Sequence, residues 1–183
     1  AIPILVDVAD NYKIDLDDLE LKAKNSGAGF FMLSHMRGHI ADMDRIVEIC
    51  ERTNIVLIED CAHTMGASWK GKKSGSFGDV ACFSTQTYKH INSGEGGFLI
   101  TPHDDIMARA IMYSGSYMLF DRHQASPPKA AFDSIRYETP NYSGRMDNLR
   151  AAILRPQLAD LQAQCSRWNQ SYTTLEKILN NCA

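Results

Sequence analysis

The sequence predicts an α/β domain layered around a mostly parallel sheet. Three observations predict it. Short apolar runs alternate with amphipathic stretches through the first half of the chain. Residues 54–59 read as one continuous apolar strand, the pattern of a strand buried on both faces. The 183 residues, 44% hydrophobic and 22% charged, suffice for one sizeable core.

The elements follow in order. Residues 2–8 are expected to form a first strand. Residues 15–24 read as a helix with Asp15 as its cap and an acidic first turn. Residues 29–34 read as a strand. Residues 41–53 read as a helix whose apolar stripe is Ile40, Met43, Ile46, Val47 and Cys50. The strand over 54–59 comes next, and 64–79, rich in Gly, Ser and Lys, read as a loop or hairpin. Residues 80–84 and 97–101 read as short strands, and 104–113 as a helix. Residues 114–144 read as irregular, with Pro127, Pro128 and Pro140. A structureless segment of that length is expected to be functional or covered by a partner. From Asp147 the pattern is helical to the C-terminus, with Pro156 expected to kink or break it. Its apolar face, through Leu149, Ala152, Ile153, Leu158, Leu161 and Trp168, calls for a second domain or subunit to cover it.

Composition excludes several function classes. A net charge of -3, without long charge runs, gives no pull toward nucleic acid or an anionic membrane. No apolar run approaches the roughly 20 residues that span a bilayer. No basic-then-apolar start suggests a signal peptide. The five cysteines are odd in number and contain no CxxC pair, so a reducing cytoplasm is expected rather than a disulfide scaffold.

Three features carry chemistry. Asp60 stands at the carboxyl end of the buried strand, where ligands of open α/β sheets bind; by position alone it reads first as a loop-start aspartate capping the next turn. Ser84-Thr85-Gln86-Thr87-Tyr88-Lys89-His90 places hydroxyls just before a lysine, an arrangement that can bind a phosphate and set an amine beside it. Taken alone, Lys89 is an ordinary solvated lysine. Ser93-Gly94-Glu95-Gly96-Gly97 permits a tight turn and close backbone approach, as do many turns between strands.

Their order is more telling. Asp60-Cys61-Ala62-His63, then Gly71-Lys72-Lys73-Ser74-Gly75-Ser76-Phe77-Gly78-Asp79, then Ser84 before Lys89, then Gly94-Glu95-Gly96-Gly97 closely resemble the DegT/DnrJ/StrS family of pyridoxal-phosphate (PLP)-dependent sugar aminotransferases. Ser34-His35-Met36-Arg37-Gly38-His39-Ile40-Ala41-Asp42-Met43-Asp44 and Asn141-Tyr142-Ser143-Gly144-Arg145-Met146-Asp147, followed by Ala151-Ala152-Ile153, fit the same family. The resemblance covers almost the whole chain. It implies a three-layer PLP-dependent transferase large domain of fold type I (aspartate aminotransferase-like). It implies Lys89 as the Schiff-base lysine, Asp60 as the carboxylate that keeps the pyridine nitrogen protonated, Ser84 as a phosphate ligand and His63 near the ring.

The sequence departs from the family pattern in places. Tyr88 precedes the lysine where members often have threonine. Ser143 stands where many carry the asparagine that reaches the partner subunit's phosphate, and Asn141 lies two residues earlier; either serves. The family's Gly-Thr phosphate cradle, its stacking aromatic and its small C-terminal domain have no counterpart. The resemblance therefore implies the central part of a longer enzyme. Residues 1–145 are its PLP-binding core, and 146–183 a helical segment leading toward the small domain. The implied reaction moves an amino group from an amino acid, glutamate foremost, to a keto group of a nucleotide sugar or cyclitol. The implied assembly is a homodimer with a shared active site.

Rival readings are weaker. A sugar dehydratase of the same family carries a histidine in place of the lysine, which makes His90 beside Lys89 a matter of alignment. A non-catalytic or regulatory module would fit the missing cradle. Gly66-Ala67-Ser68-Trp69-Lys70-Gly71-Lys72-Lys73 nearly matches a P-loop but lacks the final hydroxyl and a following helix. His35 and His39 have metal-like spacing with Gly38 between them, and Cys61 with His63 lacks a second ligand pair, so no metal is expected.

Overall fold

The structure is a computed structural model that describes residues 1–115 and 117–182. Helix α1 (Leu16–Asn25) starts where the Asp15 carboxylate accepts from the amides of Asp17 and Asp18. It leads to strand β1 (Phe30–Ser34). Helix α2 (Met43–Thr53) is capped by Asp42 and ends at Asn54, which adopts the left-handed conformation with φ 55°. Its buried residues Met43, Ile46, Ile49 and Cys50 recur at three- and four-residue spacings and form one face. With Leu19, Leu33, Ile55 and Leu57 they make the main core. Each aliphatic side chain of this size buried there stabilises by about 1.5–3 kcal/mol.

Strand β2 (Val56–Asp60) pairs in parallel with β1 and with β5 (Val80–Ser84). Between them, β3 (Ser68–Trp69) and β4 (Lys72–Lys73) form a small antiparallel hairpin. This hairpin occupies the near-match to a P-loop, so no phosphate-binding helix start exists there. Strand β6 (Gly97–Ile100) pairs antiparallel with β5, and the sheet order is β1-β2-β5-β6. The sheet is therefore mixed, with three parallel strands and one antiparallel edge. In β2, Leu57 and Glu59 are fully buried while Val56, Ile58 and Asp60 on the other face are half-buried. The double-faced burial expected from the apolar run is thus complete on one face only.

Helix α3 (Asp104–Ser114) ends at Gly115 with φ 94°. The segment after it is irregular, as expected, with two 3-10 turns at Phe120–Arg122 and Lys129–Phe132. It is nonetheless packed. Phe120, Phe132 and Ile135 join Ala108, Ile111 and Met112 of α3 in a second core, with the two phenylalanine rings stacked at 4.3 Å. Helix α4 (Asn148–Asn180) is capped by Asp147 and runs 33 residues.

One expectation fails, and of the kink or break expected at Pro156 the break does. Residues 2–8 make no strand among the described residues; a single bridge joins Val8 to Ile14, and Ile2 and Leu5 are exposed. A strand needs a neighbour for its amides and carbonyls, and the four-stranded sheet has β1 and β6 as its edges, with this segment paired to neither. Pro156 does not break the last helix; α4 is continuous through it. Proline forfeits one amide hydrogen bond, and the many remaining turns carry the helix past that loss.

Candidate functional site

The carboxyl ends of β2 and β5 lie side by side, since Asp60 is the register partner of Cys82 and Ser84 follows two residues later. This is where an open sheet presents ligand-facing side chains. Asp60 is half-buried there. Its Oδ2 accepts from Ser34 Oγ at 2.9 Å and its Oδ1 from the Ala62 amide at 3.0 Å. The chain then turns through Cys61 to His63. His63 Nε2 stands 3.2 Å from Lys89 Nζ. Two residues separated by 26 positions, each singled out by sequence, are thus brought into contact.

The loop that delivers Lys89 is built from the hydroxyl run and the glycines together. The Thr85 amide donates to Gly96 O, the Thr87 amide to Gly94 O and the Ser93 amide to Thr85 O. Gly94 and Gly96 take φ of 89° and 134°, a region that side chains disfavour. A Cβ on Gly96 would lie 2.8 Å from Thr85 Oγ1. Close approach, not the turn alone, requires glycine at that position. Ser84 Oγ accepts from the Gln86 amide at 3.2 Å, which fixes the start of the loop.

Lys89, rather than His90, turns toward His63. His90 packs its ring on Trp168 of α4, with centroids 5.2 Å apart. Burial, together with the nearby His63 and Lys89, lowers the His90 pKa.

Asn141 and Ser143 sit elsewhere, against the end of α3. The Tyr142 amide donates to Tyr113 O and the Arg145 amide to Ser114 O. Asn141 Oδ1 accepts from the Ser143 amide at 2.7 Å, and Ser143 holds φ 52°. The Arg145 guanidinium lies over the Tyr117 ring at 5.1 Å. Hydrogen bonds from Arg145, Ser143 and Asn141 lower the Tyr117 pKa. Both residues are exposed, and among the described residues no hydrogen bond joins them to Lys89.

Sequence reading missed Glu59. It is fully buried, and both carboxylate oxygens are occupied. Oε1 accepts from the amides of Phe77 and Gly78, each at 2.8 Å, and Oε2 from that of Gly75 at 2.9 Å. His35, also buried, brings Nε2 to 3.4 Å of Oε2. Burial pushes the Glu59 carboxyl up, but His35 and the three amides outweigh it and hold it below its ordinary value. The signal was present: a carboxylate inside a strand read as buried on both faces must have partners. His35 and His39 are separated by a 3-10 turn at Met36–Gly38, and His35 is committed to Glu59.

The sequence pattern of the DegT/DnrJ/EryC1/StrS aminotransferase family matches residues 1–183. The chain is 38% identical over 161 residues to the GDP-perosamine synthase of Caulobacter vibrioides, covering 86% of this chain and 40% of the relative. It is 35% identical over 163 residues to the L-glutamine:2-deoxy-scyllo-inosose aminotransferase of Streptomyces kanamyceticus, covering 88% and 38%. The crystal structure of 3-amino-5-hydroxybenzoic acid synthase superposes with a TM-score of 0.71 at 31% identity, over 98% of this chain and 45% of that one. The chain spans less than half the length of the curated relatives it matches.

Proposed function

The chain belongs to the DegT/DnrJ/EryC1/StrS aminotransferase family, has the α/β fold of the type I PLP-dependent transferases, and from that premise we propose that it is the cofactor-binding core of a PLP-dependent aminotransferase. The proposed reaction moves an amino group from an amino acid, glutamate foremost, to a keto group of a nucleotide sugar or a cyclitol. The observation that carries the reading is the contact of Lys89 with His63 at the carboxyl ends of β2 and β5.

The residues present suit the cofactor. Lys89 offers a primary amine that meets an imidazole nitrogen rather than a carboxylate. Asp60 offers a carboxylate anchored by Ser34 and by its own turn. Thr85 Oγ1, buried beside Ser84, has no partner among the described residues. Bound there, PLP supplies an aldehyde and an electron sink. Lys89 Nζ would hold the cofactor through its primary amine, and that amine would carry protons at the site. His63 Nε2 keeps the amine in place. Asp60 keeps the ring nitrogen protonated, and Ser84 takes the phosphate. Asn141 or Ser143 serves a phosphate across a subunit boundary.

The same proposal takes residues 1–145 as the PLP-binding core and 146–183 as the lead into a small domain. It includes a homodimer and a cytoplasmic setting. The exposed apolar side chains of α4, such as Leu149, Leu175 and Leu179, support the first, and five free thiols the second. No helix among the described residues is long and apolar enough to cross a membrane.

Borohydride trapping tests the reading. Protein incubated with PLP and reduced should carry a pyridoxyl group on the Lys89 peptide by mass spectrometry, and Lys89→Ala should carry none. A blank result for this chain and again for the full-length enzyme would sink the aminotransferase reading.

A further inference from the structure

Glu59 and Asp60 are consecutive on β2, so the pleat sends their side chains to opposite faces. Asp60 faces the candidate site. Glu59 faces inward and is gripped on two sides. On one side stand three amides of the 71–79 segment, on the other His35, whose own amide donates to Asp60 O. The glycines of that segment are what let it come so close. A Cβ on Gly78 would meet Leu57 O at 2.5 Å, and one on Gly75, at φ 84°, would meet the Phe83 ring at 2.5 Å. The glycine-rich stretch is therefore a cradle for a carboxylate of the protein itself. Farther back, Ser74 Oγ donates to Thr64 O, and the Thr64 amide to Cys61 O, so the cradle is tied to the turn that carries His63.

We propose that Glu59 is a positioning residue: by clasping Gly75, Phe77, Gly78 and His35, its buried carboxylate fixes the Asp60–His63 turn and thereby the Asp60 carboxylate and the His63 imidazole that meets Lys89. The proposal rests on the reading of Asp60 and His63 as cofactor-facing. His35, Glu59 and Cys61 also bring an imidazole, a carboxylate and a thiol within 4.8 Å of one another. Both oxygens of Glu59 are already taken by amides, so the clasp accounts for the cluster without an ion.

A charged acceptor holds several amides more strongly than a neutral amide oxygen does. Glu59→Gln keeps the shape and removes the charge. It also presents an NH2 where one amide now donates. The clasp loosens, and the turn behind it shifts. Misplacement of site groups by about 1 Å costs up to roughly 100-fold in function.

The test compares wild type, Glu59→Gln and His35→Asn in this chain and in the full-length enzyme. Three quantities are read: amide exchange at Gly75, Phe77 and Gly78; the NMR titration of the His63 imidazole; and the PLP dissociation constant. In Glu59→Gln we expect faster exchange at the three amides, a displaced His63 titration and a PLP dissociation constant raised roughly 10-fold or more. His35→Asn retains the Glu59 charge, so a smaller His63 displacement there reports geometry rather than lost charge. If the amides loosen while the His63 titration and PLP affinity stay at wild-type values, the role is structural only and the proposal falls. Should Glu59→Gln fail to fold, His35→Asn decides, and an unmoved His63 overturns the proposal. A wild type that never binds PLP defeats the aminotransferase reading instead; the His63 titration then decides the role of Glu59 alone.

Discussion

Glycine 78 shows how much of this site depends on single atoms. Its amide donates to Glu59, and its Cα lies against the Leu57 carbonyl so closely that an added methyl would come within 2.5 Å of that oxygen and 2.9 Å of Leu57 Cγ. Backbone cannot rotate out of the way as a side-chain tip can. Gly78→Ala is expected to destabilise by about 1–3 kcal/mol through overpacking. Gly29 is the contrast: nothing lies within 4 Å of its Cβ position, and its φ is ordinary. Gly29→Ala should stay within about 0.5 kcal/mol of wild type. Urea midpoints of the two variants check both expectations; equal effects would mean that the tight approach at Gly78 does not hold in solution. Sequence alone marks both residues only as glycines, because the neighbour that forbids a methyl comes from elsewhere in the chain.

At the scale of elements, α1 and α2 are joined by charge as well as by their apolar faces. Arg45 reaches Asp17, and Arg52 reaches Glu20. Hydrogen bonds from Lys24 and then Arg52 hold the Glu20 carboxyl down to about 2, from an ordinary 4.5. A carboxyl whose folded pKa is depressed stabilises fully above its unfolded pKa and loses that contribution as pH falls through the folded one. Between about pH 4.5 and pH 2 the wild type should therefore lose stability more steeply than Glu20→Gln. Denaturant melts at several pH values read the slopes, and parallel slopes would show that the pair is screened by solvent. The elements themselves were largely legible. The cap at Asp15 sits where the sequence places it, and the helices starting at Met43 and Asn148 begin within two residues of the expected starts. Residues 2–8 were not, because apolar β-prone residues become a strand only when a neighbour supplies hydrogen bonds. Lys89 and His63 were both singled out in the sequence, and the structure brings them into contact, which the sequence did not announce. Glu59 was overlooked because it is polar in a run read for its apolar neighbours.

Taken whole, the molecule is unevenly supported, and α4 shows the gradient most plainly. Its first half touches the rest of the chain: Leu154 is buried, Gln157 bonds the backbone of Asn92 in both directions, and Gln162 accepts from Lys73. Cys165 and Leu161 lie against Gly66, and Trp168 meets His90. Beyond residue 168 every described residue of the helix is exposed, including Tyr172, Leu175, Ile178 and Leu179. A helix gains most of its stability from packing its apolar face, and a dozen or so unsupported residues are marginal alone. Amides of the last turns should therefore exchange orders of magnitude faster than those near Leu154, as local opening there costs little. Hydrogen exchange read peptide by peptide measures the gradient. Repeated on the full-length enzyme, slow exchange in the same turns would show that further chain or a second subunit covers them, as the homodimer proposal requires. Fast exchange in both would leave the end of α4 bare and remove its support for that proposal.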